Sequence, residues 1–228
     1  MTTSLQGRTI LLAGGTSAAG AVVARTALDR GARVVVAGHD PAKLAALEGD
    51  LPGVETEACD LTDEQAVNAL AERLRTRVGL VDGILHLVGG WRGGGGLAAQ
   101  SEDDFRFLER SLTALRHVTR AFDGDLRASE AGRLAIVSST AVARPLAGGA
   151  NYAAVKAACE AWTRSVAQGF AKAARDAGQP LAAASVIFRV KALDVLEEAL
   201  AEAYADLWDQ DASAVNDTTV VLGVPNSG

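Results

Sequence analysis

The strongest constraint on this chain is the alternation of two kinds of segment along its whole length. Short apolar or β-branched runs at residues 8–13, 33–37, 55–58, 83–88, 133–138, 181–188 and 218–222 are separated by longer helical stretches. Those stretches fall at 18–30, 41–48, 63–78, 102–122, 151–177 and 191–208. Strand and helix in strict alternation predict a parallel sheet covered on both faces by helices. The second run is Val-rich on both faces, as a strand buried on both sides requires. Gly31 closes the first helix, and Pro41 sits in the first turn of the second. Thr62 is expected to cap the helix at 63–78, which has acids in its first turn and arginines in its last. Ser101 caps the next long helix. The expected fold is therefore α/β: one doubly wound domain over residues 1–228, with a sheet of about seven strands.

Composition narrows the function classes. The chain has 228 residues, is 49% hydrophobic and 22% charged, and carries a formal net charge of -6. That balance fits a soluble globular domain and gives no general attraction to nucleic acid. No apolar run reaches the roughly 18 residues that a membrane span needs. The N-terminus has no charged start followed by an apolar stretch, so a cytoplasmic location is expected. Cys59 and Cys159 are the only cysteines and make no disulfide framework, which fits a reducing compartment. No His or Cys pair has metal-ligand spacing, so no metal is expected.

Doubly wound sheets bind ligands at the carboxyl ends of their strands, where the strand order reverses. The first strand runs into Ala13-Gly14-Gly15-Thr16-Ser17-Ala18-Ala19-Gly20, followed by a helix. Glycines there allow a tight turn and close approach of backbone N–H groups to phosphate. The helix N-terminus adds partial positive charge. This is the pattern of a dinucleotide-binding turn.

With that turn, the chain resembles the short-chain dehydrogenase/reductase family, a Rossmann-type family whose fingerprint is TGxxxGxG. Gly14 and Gly20 match, Ala13 replaces the threonine and Ala18 the middle glycine. The resemblance implies that Gly14, Thr16, Ser17, Ala18, Ala19 and Gly20 cradle the cofactor. It places Asp60, with Leu61 beside it, against the adenine, and Val88 and Gly89 at the end of the fourth strand beside the cofactor. That strand end reads His86-Leu87-Val88-Gly89 where most members read NNAG. At the end of the second strand stands Gly38 in place of the acid that selects NAD, followed by His39, with Lys43 nearby. The resemblance thus favours NADP(H) over NAD(H), while Ser17, where many NADP-preferring members carry arginine, weighs the other way.

The same resemblance carries the chemistry. Tyr152-Ala-Ala-Val-Lys156 is the family's YxxxK, and Ser139 precedes the tyrosine by thirteen residues, the family's spacing. Hydride transfer to a carbonyl leaves negative charge on oxygen, and a proton must arrive there. A phenol with a pKa near 10 is a poor partner at neutral pH, and a lysine ammonium four residues along the helix is expected to lower that pKa. Ser139 is expected to hold the carbonyl oxygen, with Ser138 the alternative if the alignment slips by one. Ser111 stands where many members place a relay asparagine. Lys156 also reaches towards the nicotinamide ribose.

The likeness weakens towards the C-terminus. The family's Pro-Gly turn after the sixth strand is missing, and the substrate lid, here about residues 190–207, is short. Phe188 or Arg189 is expected to intrude on the nicotinamide amide, or Arg189 to hold an acidic substrate group; the plainer alternative for Phe188 is core packing. The glycine-rich segment at 89–96 contains Gly-Gly-Trp91-Arg-Gly-Gly, similar to dihydropteridine reductases, and either covers the site or simply connects. Trp91 either stacks on a planar substrate or plugs the core edge.

The expected function is NAD(P)(H)-dependent hydride transfer between nicotinamide and a small carbonyl or alcohol substrate. Two alternatives stay open: reduction of a cyclic imine or quinonoid pterin-like ring, and a redox-silent dinucleotide-binding sensor or scaffold. The family resemblance implies a homodimer or homotetramer through the two long helices.

Overall fold

The computed structural model describes residues 5–223. Its strands are β1 (Thr9–Ala13), β2 (Arg33–Gly38), β3 (Val54–Ala58), β4 (Gly83–His86), β5 (Arg133–Ser139), β6 (Ala184–Val190) and β7 (Thr218–Val221). Its helices are α1 (Ala18–Asp29), α2 (Pro41–Asp50), α3 (Glu64–Val78), α4 (Glu102–Ala128), α5 (Ala150–Asp176), α6 (Glu197–Ala205) and α7 (Ala212–Val215). The seven strands form one parallel sheet in the order β3-β2-β1-β4-β5-β6-β7. The order reverses between β1 and β4, which opens the ligand crevice above their carboxyl ends.

Neighbouring strand residues point to opposite faces, and the sequence supplies apolar side chains to both. Leu12, Val34 and Val36 join Val23 of α1 and Leu200 and Tyr204 of α6 on one face. Leu11, Val35 and Ile84 join Leu70 and Leu74 of α3 and Phe122 of α4 on the other. No helix among the described residues is long and apolar enough to cross a membrane.

Four local expectations are corrected. Asp63, not Thr62, caps α3: its carboxylate accepts from the Gln65 and Ala66 N–H groups, while Thr62 is engaged by Asp60. The fourth helix runs on through Gly124 to Ala128, because Leu126 extends the buried stripe of Leu115, Val118 and Phe122. The sixth strand runs two residues beyond Phe188, since Arg189 and Val190 pair with Ser138 and Ser139. A continuous helix over 191–208 therefore cannot form; α6 starts at Glu197, and a 3-10 turn at Asp206–Asp209 follows it.

Candidate active site

The crevice at the switch point holds two adjoining cavities that share Ser17, Leu87, Val88 and Gly89. The smaller, of about 360 Å³, lies over β1 and β2 and is lined by Gly14, Thr16, Ser17, Gly38, His39, Lys43, Asp60 and Leu61. The larger, of about 1140 Å³, lies over β4, β5 and β6 and is lined by Ser139, Tyr152 and Lys156 among others.

The glycine turn is shaped by contacts that exclude side chains. Gly14 has a φ of 81°, and a Cβ there would lie 2.7 Å from Val88 Cγ2. A Cβ on Gly20 would lie 2.0 Å from the Gly15 carbonyl oxygen, so α1 can start this close to β1 only with glycine at 20. Ser17 caps α1, its hydroxyl accepting from the Gly20 N–H at 3.3 Å. These features form a close-approach cradle at a helix N-terminus, which suits a pyrophosphate. Ala18 is exposed at the first position of α1, and Ala19 is buried; neither lines a cavity. A Cβ at Gly38 would press on Thr16 Cγ2 at 3.0 Å, so the end of β2 has no ready room for a carboxylate. Asp60 lies across the cavity, held below the usual carboxylate range by hydrogen bonds from Thr62 and then by Arg110.

In the larger cavity the alternation of β5 decides between two serines. Ser138 points inward, and its hydroxyl donates to Glu160 at 2.7 Å. Ser139 faces the cavity. Its oxygen accepts from the Ala141 N–H at 3.1 Å, which leaves the hydroxyl proton free to donate outward. Tyr152 and Lys156 lie one turn apart on α5, with the Lys156 Nζ 5.8 Å from the phenol ring centre. Lys156 donates to the Val137 carbonyl at 2.8 Å.

The electrostatics differ from the expectation in one respect. Burial pushes the Tyr152 phenol above its ordinary pKa, and the neighbouring Ser139 hydroxyl opposes the rise. Burial also lowers the pKa of Lys156, against the pull of Cys159 and Glu160. The site thus holds a neutral phenol, a proton donor in waiting, rather than a ready tyrosinate.

Ser111 lines the smaller cavity, whereas Phe188 and Arg189 line neither. The Ser111 hydroxyl donates to Leu108 of its own helix at 2.8 Å. Its carbonyl faces His86 Nε2 at 3.0 Å. Phe188 is buried in the core at 1% exposure, so it does not intrude on the cleft. Arg189 is drawn to the buried Glu160 carboxylate by two hydrogen bonds of 2.8 and 2.6 Å, and it neither reaches the cavity nor is free to hold a substrate. Val190, Lys191, Ala192 and Leu193 form that wall instead.

Gly89, Gly90, Trp91 and Gly94 of the glycine-rich segment line the larger cavity. The Gly94 N–H donates to the Gly148 carbonyl at 2.7 Å. Gln100 ties the two together, donating to Gly94 and Gly148 and accepting from the Asn151 N–H beside Tyr152. Trp91 lines the cavity while 62% exposed, so it does not plug the core. The sequence reading missed His86 and Gln100 as parts of the site. The sequence shows a histidine at the carboxyl end of a central strand, but not the Ser111 and Lys156 neighbours that give it a role.

Comparison with known proteins agrees with the fold. The profile of the short chain dehydrogenase family matches residues 8–174. L-fucose dehydrogenase from Bos taurus is 30% identical over 168 residues, covering 73% of this chain and 62% of that protein. The chain therefore spans about three fifths of that relative's length. Among solved structures, a short chain dehydrogenase from Pseudomonas syringae superposes with a TM-score of 0.85 at 23% identity, covering 97% of both chains. A metagenomic short-chain oxidoreductase solved with NADP superposes with a TM-score of 0.81 at 26% identity, covering 97% of this chain and 99% of the other. A doubly wound parallel sheet, a glycine turn at its switch point, and a matched profile over most of the length lead to one conclusion: the chain belongs to the short-chain dehydrogenase/reductase family.

Proposed function

We propose that this protein is an NAD(P)(H)-dependent oxidoreductase that interconverts a carbonyl compound and its alcohol, with Tyr152 as the general acid and base. The observation that carries this reading is a half-buried phenol that lines one cavity with Ser139 and Lys156, in a cleft continuous with the glycine turn. When bound, a nicotinamide dinucleotide supplies or accepts the hydride. The chain's own part is the proton and the geometry. Ser139 donates a hydrogen bond to the carbonyl oxygen, and Tyr152 delivers the proton as charge builds on that oxygen. Lys156 keeps positive charge beside the phenol, which stabilises the tyrosinate left after transfer. Its two donors not spent on Val137 suit the cofactor ribose.

The smaller cavity supports NADP(H) over NAD(H). Glycine replaces the carboxylate at the end of β2, and His39 and Lys43 line the wall where a 2′-phosphate would lie. The reacting partner is a small molecule.

The test is a titration with NADPH and NADH, followed by reduced-nicotinamide absorbance over a panel of ketones. Tyr152→Phe removes the acid with little change in shape. It is expected to lower turnover by at least a hundredfold, the scale of a lost general acid, while dinucleotide binding persists. Turnover that survives the change rejects Tyr152 as the acid.

A further inference from the structure

The wall of the larger cavity has an unusual charge pattern. The chain has 28 acidic and 22 basic residues, yet no aspartate or glutamate lines this cavity. Three cations do: Lys156, Arg144 and Lys191. Lys156 is accounted for by its place beside Tyr152. Arg144 follows Ser139 by five residues in the connection between β5 and α5, and Lys191 follows β6 directly. Neither forms an ion pair or side-chain hydrogen bond among the described residues. Nearby arginines are different. Arg92 lies 4.0 Å from the centre of the Phe107 ring and near Asp104, and Arg189 is engaged by Glu160.

The rest of the wall is largely apolar, with Trp91, Ala141, Leu146, Val190 and Leu193. Such a pocket pays for burying a hydrophobic body and leaves a few polar groups to fix its orientation. The two cations lie in the larger cavity only; the smaller one has its own, Lys43 and Arg110.

We propose that the larger cavity takes a carbonyl compound with an apolar body and an anionic group, such as a carboxylate, and that Arg144, assisted by Lys191, holds that anion. This rests on the reading above that Tyr152 serves a carbonyl in this cavity. An arginine fork suits the two oxygens of a carboxylate better than an ammonium does. Arg144 lines the same cavity as Ser139 and Tyr152, so an anion held there belongs to a molecule in reach of the same wall.

The test separates anion recognition from turnover. The probes are 2-naphthoate and its neutral counterpart 2-naphthamide, bound to the intact protein and followed by calorimetry and by Trp fluorescence. Both are measured with and without saturating NADP. The expected result is naphthoate binding about tenfold tighter than naphthamide, with the preference retained when NADP is bound. Arg144→Met should abolish most of that preference, and Arg144→Lys should keep part of it. Naphthamide affinity in each variant checks that the cavity is intact.

Equal affinities, absence of binding by either probe, or a preference that survives Arg144→Met overturns the proposal. So does a preference that NADP erases, since the anion site would then belong to the cofactor phosphates. A separate assay with keto acids and their methyl esters follows the reaction. If wild-type protein reduces neither, the oxidoreductase reading fails, while the binding result stands by itself.

Discussion

His86 carries an imidazole into a place with little water. It is 4% exposed, and burial together with the Lys156 ammonium lowers its pKa to about 3. A carbonyl can only accept, so Nε2 holds the proton donated to Ser111 and Nδ1 is a bare acceptor with no partner among the described residues. The unfolded chain takes up a proton on this residue near pH 6.5, whereas the folded chain does not until about pH 3. Between those values the unfolded state binds more protons, so the stability due to His86 is present above pH 6.5 and falls as the pH drops. The limiting slope is about 1.4 kcal/mol per pH unit. Urea unfolding of His86→Asn between pH 7 and pH 4 should therefore show a flatter decline than wild type by roughly that slope. Parallel curves would mean that the imidazole is hydrated or charged in the fold. Tyr152, Lys156 and Ser139 were legible in the sequence because their spacing is itself the signal. His86 was not, because its role depends on Ser111 of α4 and Lys156 of α5, which only the packing brings to it.

At the scale of elements, the Glu160 carboxylate joins three pieces of structure. It belongs to α5, accepts from Ser138 of β5, and pairs with Arg189 of β6. The side chain of Glu160 is 6% exposed and that of Arg189 is 21% exposed, so the pair is sheltered but not dry. Removing one partner leaves a buried charge uncompensated, which costs more than the pair itself contributes. Arg189→Leu should destabilise the fold by roughly 3 kcal/mol, and the double change with Glu160→Leu by less than the sum of the single changes. Denaturant midpoints of the four proteins give the coupling directly; strict additivity would show that the two side chains act independently. The same cluster explains why the sequence misled at this point. A charged residue after Val-Ile-Phe reads as the end of a strand, and only a carboxylate from a distant helix lets β6 carry Arg189 inside. The alternation that sets the sheet is local and was readable, whereas the ends of β6 and α6 depend on partners far along the chain. The Thr62–Asp63 boundary was ambiguous for a more local reason: adjacent residues can both cap, and Asp60 decides by engaging the threonine.

At the scale of the molecule, Arg133 joins the middle of the chain to its later parts. It stands at the start of β5, the fifth strand of seven, and is 3% exposed. Its guanidinium donates to the carbonyls of Gly132, Ala182, Leu207 and Gln210, each at 2.9 Å. It therefore gathers the lead-in to β6 and the turn after α6 onto the sheet, and that turn brings Trp208 edge-on to Tyr204 in the core. Burial lowers the pKa of Arg133, but the carbonyls keep the cation solvated. Arg133→Met preserves much of the side-chain volume while leaving three distant carbonyls without their donor. Hydrogen bonds from a charged group contribute about 1.5–3 kcal/mol each at most, and the unpaired carbonyls can recover part of that from water. The expected loss is roughly 3 kcal/mol, which at this chain length lowers Tm by about 10 °C. Arg133→Lys should rescue little, because one ammonium cannot reach all the carbonyl acceptors that a planar fork of donors serves. Thermal unfolding of both variants checks this. A lysine variant as stable as wild type would show that the charge alone holds these segments, and a methionine variant as stable would show that the apolar contacts around Tyr204 and Leu207 hold them without it.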